Sequence, residues 1–298
     1  MAAITEGFAG VAEAASVRAA LAQPGRPCVL RGLGAHWPAV QHWHFDALAQ
    51  LVSDDPSSDG YLGRSPGGIR AGLGVARRSA RLGQQPVQLV AGNRERHTTR
   101  FATRTLGEYL HSLGQPVQDG AVPLYLKEFD LLKALPVLRQ DLRPGELWPR
   151  RGIVSSSTWV GPAQARTGLH HDLLDNLAML VTGAKRFYLA PPGSVEQAGA
   201  VSDKHDRWAV LARLGIDELA TRLRGRHTLY RVDLAPGDAL YVPHGWWHEV
   251  VNLQASILLS GFFGSSPRVL GLWAWTGAKQ LLHQAGGWRR GHCTCHGA

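Results

Sequence analysis

Apolar positions in this chain come mostly in short alternating bursts, with helical spacing confined to its two ends. From Leu124 onward, β-prone segments recur at 124–127, 158–160, 176–181, 185–189, 228–233, 239–242, 247–251 and 256–262, separated by Gly and Pro punctuation. Strands punctuated in this way, without a tandem repeat, predict a closed or two-sheet β architecture. Upstream, Pro27-Cys28-Val29-Leu30-Arg31-Gly32 reads as an entry strand and Trp43 to Leu51 as a helix. Phe101 to Leu113 predicts another helix, because Leu106, Tyr109, Leu110 and Leu113 share a face, Thr105 suits the N-cap and Gly114 stands just past the end. Residues 54–93, rich in Gly, Ser, Pro and Arg, predict irregular strands and loops, and the first twenty-five residues a surface helix. Val269 to Ala285, with Leu270, Trp273, Leu281 and Leu282 at helical intervals, predicts a helix that packs on the β core or forms a homodimer contact. The expected division is therefore 1–112, flanking helices and strands; 113–265, the β core; and 266–298, a C-terminal helix and flexible tail.

Composition narrows the class. At 298 residues and 44% apolar content the chain has enough material for a sizeable core. Glu6 and Glu13 interrupt the N-terminal segment, and no run reaches the roughly 18 apolar residues that a bilayer requires, so a soluble, cytoplasmic protein without a membrane partner is expected. Three cysteines do not make a disulfide framework, in keeping with a reducing compartment. The formal charge of +9 concentrates between Arg64 and Arg104, where nine arginines share the segment with Glu95. Such a segment suits an anionic partner, but no recognised nucleic-acid motif accompanies it, so a solvated basic face is the stronger reading and nucleic acid the weaker.

Candidate chemistry lies in three separated stretches. In Thr167-Gly168-Leu169-His170-His171-Asp172, an extended strand turns His170 and Asp172 to one side and His171 to the other. His44-Phe45-Asp46 has the same spacing, but its helical surroundings separate the two side chains. Pro236 to His248 is a tight turn, an apolar strand, a second turn and then aromatics, and it supplies His248 as a third donor. Two imidazoles and one carboxylate leave open positions on a metal, the arrangement of non-haem iron(II) oxygenases. Lys185 opens a strand fifteen residues after His170 and offers a cation for the distal carboxylate of a metal-chelating diacid. His244 reads as structural, and no catalytic role is assigned to Trp37, Trp43, Trp246, Trp247, Trp273 or Trp275. The tail His292-Cys293-Thr294-Cys295-His296 collects zinc-type donors, but structural zinc draws on a second pair elsewhere, so a frayed terminus is expected.

With these motifs in order, the chain resembles the JmjC and cupin-like 2-oxoglutarate oxygenases, including protein hydroxylases of the factor-inhibiting-HIF type. The resemblance covers residues 26–263 and is carried by PCVLRGLGAHWPA, LYLKEFDLLKALPVLRQDL, TGLHHDLLDNLAMLVTGAKRFYLAPP and GDALYVPHGWWHEVVN. It implies a mainly β fold with flanking helices, a double-stranded β-helix or jelly roll. It also implies Fe(II) held by His170, Asp172 and His248, and 2-oxoglutarate held through its remote carboxylate by Lys185, Thr167 and Tyr125, with Asn176 near the metal. O2 would be the second co-substrate. Many relatives carry an asparagine where this chain has Gly261, which removes one polar contact near the co-substrate. The implied reaction is hydroxylation, or demethylation by formaldehyde loss when the oxidised carbon is an N-methyl group. Small JmjC hydroxylases imply an amino-acid side chain of a protein or peptide as substrate. The alternatives are a small metabolite, a modified nucleoside or a non-catalytic cupin-like binding protein, and retention of all four key residues argues against the last.

Overall fold

The computed structural model describes residues 8–22, 25–54, 84, 86–91, 100–115, 122–147, 153–289 and 292–293. Eight strands build two facing antiparallel sheets: β7 (Ile153–Gly161), β8 (Arg166–Asp172), β9 (Asp175–Thr182), β10 (Lys185–Ala190), β12 (Leu229–Leu234), β13 (Ala239–Val242), β14 (Trp247–Asn252) and β15 (Ser256–Phe263). One sheet runs β12-β10-β14-β8 and the other β13-β9-β15-β7, so consecutive strands of the eight alternate between sheets except β10 and β12, which are antiparallel neighbours in one sheet. That is the jelly roll expected from the punctuated strand pattern.

Strict alternation along the strands decides what each face does. On β9, Ala178 and Leu180 point between the sheets while Leu177, Met179 and Val181 point outward, into a core shared with the N-terminal helices. On β10, Phe187 and Leu189 fill the sandwich interior. The outer face of the β8 sheet buries Leu169 and Trp247 against α8 (Ile216–Leu223). The interior is apolar at Phe187, Leu189 and Val250, and its polar side chains include the two histidines, Asp172 and Lys185 with Asn252. Gly183 makes the β9–β10 turn possible, since its φ is +84° and a Cβ there would lie 1.9 Å from the Ala255 carbonyl oxygen.

Several expectations about the flanks need correction. The first residues do not form one surface helix. β1 (Phe8–Gly10) pairs with β12 and β2 (Ala12–Glu13) with β3 (Cys28–Leu30), and among the described residues of this segment only Val17–Ala22 (α1) is helical, because sheet edges satisfy backbone groups that an isolated helix would leave to water. The helix expected over 101–113 divides at Thr105. Arg100–Thr105 is a strand (β5) paired with β4 (Pro86–Ala91), and the helix proper (α4) is Leu106–Leu113, capped by a reciprocal Thr105–Glu108 box. The helix expected to start at Trp43 is Phe45–Asp54 (α3), preceded by α2 (Pro38–His42). Residues 55–83 and 92–99, which carry most of the arginine-rich segment, lie outside the described residues. The C-terminal helix, α9, is Ser266–Gln284, and it leaves Leu270, Trp273, Trp275, Leu281 and Leu282 exposed instead of packing them on the sheets. The tail does not simply fray at its start: Cys293 is buried and forms a parallel bridge with His205. Thr294, Cys295 and His296 lie outside the described residues. No described helix is long and apolar enough to cross a membrane.

Candidate metal and co-substrate site

His170 and His248 face each other directly across β8 and β14, with ring centroids 4.2 Å apart. The Nε2 atoms of His170 and His248 lie 3.8 and 3.6 Å from the Asp172 carboxylate. Among the described residues these three form the group whose donor atoms all lie within 4.8 Å of one another. Both rings are oriented in the same way. Nδ1 of His170 donates to the Gly168 carbonyl at 2.8 Å, and Nδ1 of His248 to the Trp246 carbonyl at 3.1 Å. With the proton on Nδ1, each Nε2 presents its lone pair to the third donor, the arrangement by which metal-binding histidines are held. Burial, reinforced at His170 by its neighbour His248, keeps both imidazoles neutral; it brings His248 down to about 4. Burial pushes the Asp172 carboxyl up to about 7, opposed by a hydrogen bond from Asn176. His171 turns outward onto the Trp247 ring.

Lys185 lies one strand away, opposite Asn252 and completely buried. Its Nζ donates to the Tyr125 hydroxyl at 2.7 Å and to Asn252 Oδ1 at 2.6 Å, both uncharged. Burial, with a smaller contribution from Lys127, holds its pKa well below the ordinary lysine value. Asn252, which closes the GDALYVPHGWWHEVVN stretch and had no role assigned there, uses its amide nitrogen on the Gly161 and Pro162 carbonyls and so ties the β7–β8 turn to the lysine. Gly161 matters for the same reason: a Cβ there would come 2.5 Å from the Tyr125 ring. Thr167 lines the cavity with His170 and Asp172, and Asn176 reaches the Asp172 carboxylate. Gly261 stands opposite Leu177 on β9, and its neighbour Phe262 is the residue that lines the cavity.

His244 positions a turn, as expected. Its Nδ1 lies 2.7 Å from Asp175 Oδ1, which also accepts from the His244 backbone, and Gly245 N donates to the Asp172 carbonyl. These contacts hold the turn before β14 against the turn after β8, and so hold His248 near Asp172.

The cavity above the triad encloses 270 Å³. Its walls include Trp159, Trp208 and Trp273, and the carboxylate residues Glu128 and Asp206. Glu128 sits on β6 (Leu126–Phe129), whose pairing with β7 shifts register between Leu126 and Phe129, and it adopts a φ of +55°. A left-handed non-glycine residue costs about 1–3 kcal/mol, which marks a side chain aimed for a purpose. Spacing alone gave no sign of Glu128, Asp206 or Trp208, because they reach the cavity from a register shift and from a loop, and it gave none of Trp159, which reaches the cavity from the middle of β7. The signal available for Trp273 was its place on the C-terminal helical pattern.

Residues 14–268 match the family described as Cupin-like domain. The chain belongs to that family. Jumonji C domain-containing protein 5 of Drosophila melanogaster is 28% identical over 251 residues, 80% of this chain and 54% of that protein. The tRNA wybutosine-synthesizing protein 5 of Homo sapiens is 27% identical over 174 residues, 58% of this chain and 52% of its own length. The human bifunctional peptidase and (3S)-lysyl hydroxylase JMJD7 is 24% identical over 271 residues, covering 80% of this chain and 78% of that protein. The chain thus spans about half the length of the first two relatives.

Proposed function

We propose that the protein is an iron(II)- and 2-oxoglutarate-dependent oxygenase that hydroxylates a cationic amino-acid side chain of a protein or peptide. The observation that carries this reading is Lys185, a fully buried amine with only neutral partners behind a cluster of two histidines and one carboxylate. A buried charge is stable only when paired, and among the described residues no carboxylate pairs with Lys185. The Ser157 hydroxyl, the Trp159 indole nitrogen and Asn176 Oδ1, all on strands around the site, are buried without hydrogen-bond partners. A dicarboxylate with one end on the metal and the other on Lys185 and Tyr125 fits this polar set.

His170, Asp172 and His248 would hold iron(II). Lys185, Tyr125 and Thr167 would hold 2-oxoglutarate. Bound together with O2, these groups supply the oxidation 2-oxoglutarate + O2 + R–H → succinate + CO2 + R–OH. The chain's own residues do the rest. The Nδ1 hydrogen bonds fix the ligand lone pairs, Asn176 orients the carboxylate, and Trp159 and Phe262 exclude water from the reacting face. Two carboxylates, Glu128 and Asp206, share the cavity wall with one lysine, Lys127, and this balance favours a cationic substrate over a polyanion, which makes a tRNA-type substrate the second reading. The exposed apolar face of α9 suits a second copy of the chain, so a homodimer through that helix is part of the proposal.

Incubation with Fe(II), 2-oxoglutarate and peptides carrying lysine or arginine should release succinate and add one oxygen atom to the basic side chain. Absence of succinate in air would sink the oxygenase assignment, and equal oxidation of acidic peptides the cationic preference. Gly161→Ala should push the Tyr125 ring away from Lys185 and raise the KM for 2-oxoglutarate roughly tenfold, the scale of one hydrogen bond to a charged group. Succinate release against 2-oxoglutarate concentration measures it.

A further inference from the structure

Two lysines share the ring of Tyr125. The Lys185 ammonium stands 5.0 Å from the ring centre and the Lys127 ammonium 5.2 Å from the same centre. Strand alternation explains why Lys127 is there. Leu126, the first residue of β6, turns into the core shared with the N-terminal helices, so its neighbours Tyr125 and Lys127 turn the other way, and Lys127 lines the cavity. Its Nζ also donates to the Arg166 carbonyl at 3.0 Å, which brings the ammonium to β8 immediately before Thr167. Lys127 therefore borders all three side chains assigned to the remote carboxylate of the co-substrate. It meets Tyr125 at the ring, shares that ring with Lys185, and bonds the residue next to Thr167.

We propose that Lys127 is a second cation for the co-substrate, one that attracts the remote carboxylate of a 2-oxo diacid and so selects 2-oxoglutarate over 2-oxo acids with a single carboxylate. This assignment rests on the oxygenase reading above. Two ammonium groups at one aromatic ring repel each other, and burial first, then the Lys127 charge, lowers the Lys185 pKa. A carboxylate arriving beside both turns that repulsion into two attractions. The hydrogen bond to the Arg166 carbonyl fixes the Lys127 ammonium and leaves its charge in place. That charge acts through a cavity walled largely by leucine, alanine and aromatic side chains, where screening by water is weaker than at an open surface. Glu128 and Asp206 on the same wall oppose entry of a dianion, and Lys127 offsets part of their repulsion.

Lys127→Gln separates the charge from the hydrogen bond, because an amide still donates to the Arg166 carbonyl and carries no charge. Lys127→Arg keeps both. Calorimetric titration of the Mn(II)-loaded full chain without oxygen reads binding alone. There 2-oxoglutarate should bind Lys127→Gln about tenfold more weakly than the wild type, and Lys127→Arg within about threefold of it. The acid 2-oxopentanoate has the same carbon chain and no remote carboxylate, so it should bind the wild type and Lys127→Gln alike. Added salt should weaken 2-oxoglutarate binding more steeply in the wild type than in Lys127→Gln. Equal 2-oxoglutarate affinity in those two proteins would overturn the proposal. An equal loss for both acids would overturn it too, since it would mark a structural role for Lys127. A wild-type protein that bound 2-oxoglutarate no better than 2-oxopentanoate would remove the oxygenase reading itself, and this assignment with it.

Discussion

Lys185→Met should raise the concentration of 2-oxoglutarate needed for half-maximal turnover by about 100-fold or more while leaving metal binding intact. Removing one member of a buried, hydrogen-bonded charge pair costs about 2–5 kcal/mol, and every 1.4 kcal/mol is a factor of ten. The charge at Lys185 is unusually exposed to this argument, because its neighbours in the chain are a hydroxyl and an amide, and the anion must come from the co-substrate. Methionine fills similar volume without a charge, so the fold should persist, and removal of an unpaired buried cation should leave stability unchanged or higher. Succinate formation over a range of 2-oxoglutarate concentrations, with Mn(II) affinity as the control, measures both halves. An unchanged KM would detach Lys185 from the co-substrate, and lost Mn(II) binding would show damage to the triad.

The strands of the jelly roll were legible because they are short β-prone segments separated by Gly and Pro punctuation. The reading at 239–242 coincides with β13, and those at 185–189 and 256–262 each fall one residue short of the strand. Alternation also separated His170 and Asp172 from His171. The failures have a common cause. Phe101 to Thr105 carries a periodicity that a helix or a strand satisfies equally, and antiparallel pairing with the preceding strand, Pro86–Ala91, decides for the strand. Asn252 was invisible for a similar reason, since its importance comes from meeting Lys185 across two strands. The tail misled because its partner, His205, is far away along the chain and adjacent only in the fold.

Asp172→Asn should abolish turnover and yet make the metal-free protein more stable at neutral and alkaline pH. The carboxylate is buried between two neutral imidazoles, and desolvation raises its pKa from an ordinary carboxylate's to about 7. An acid whose pKa is higher folded than unfolded holds its proton more tightly in the native state. Its contribution is therefore undiminished below the unfolded value, and stability declines as pH rises through the interval up to about 7. Asparagine has nearly the same shape, accepts from Asn176 and never ionises, so it avoids that loss, of the order of 2–4 kcal/mol at about pH 8. Melting temperatures in chelator should thus diverge with rising pH, the variant above the wild type near pH 8 and level with it near pH 4. Added Mn(II) should reverse the order, because the ionised carboxylate is what the cation requires and the amide supplies no charge. A variant less stable than the wild type at pH 8 in chelator would mean that Asp172 has a compensating partner there. A variant that still turned over 2-oxoglutarate would remove Asp172 from the metal site.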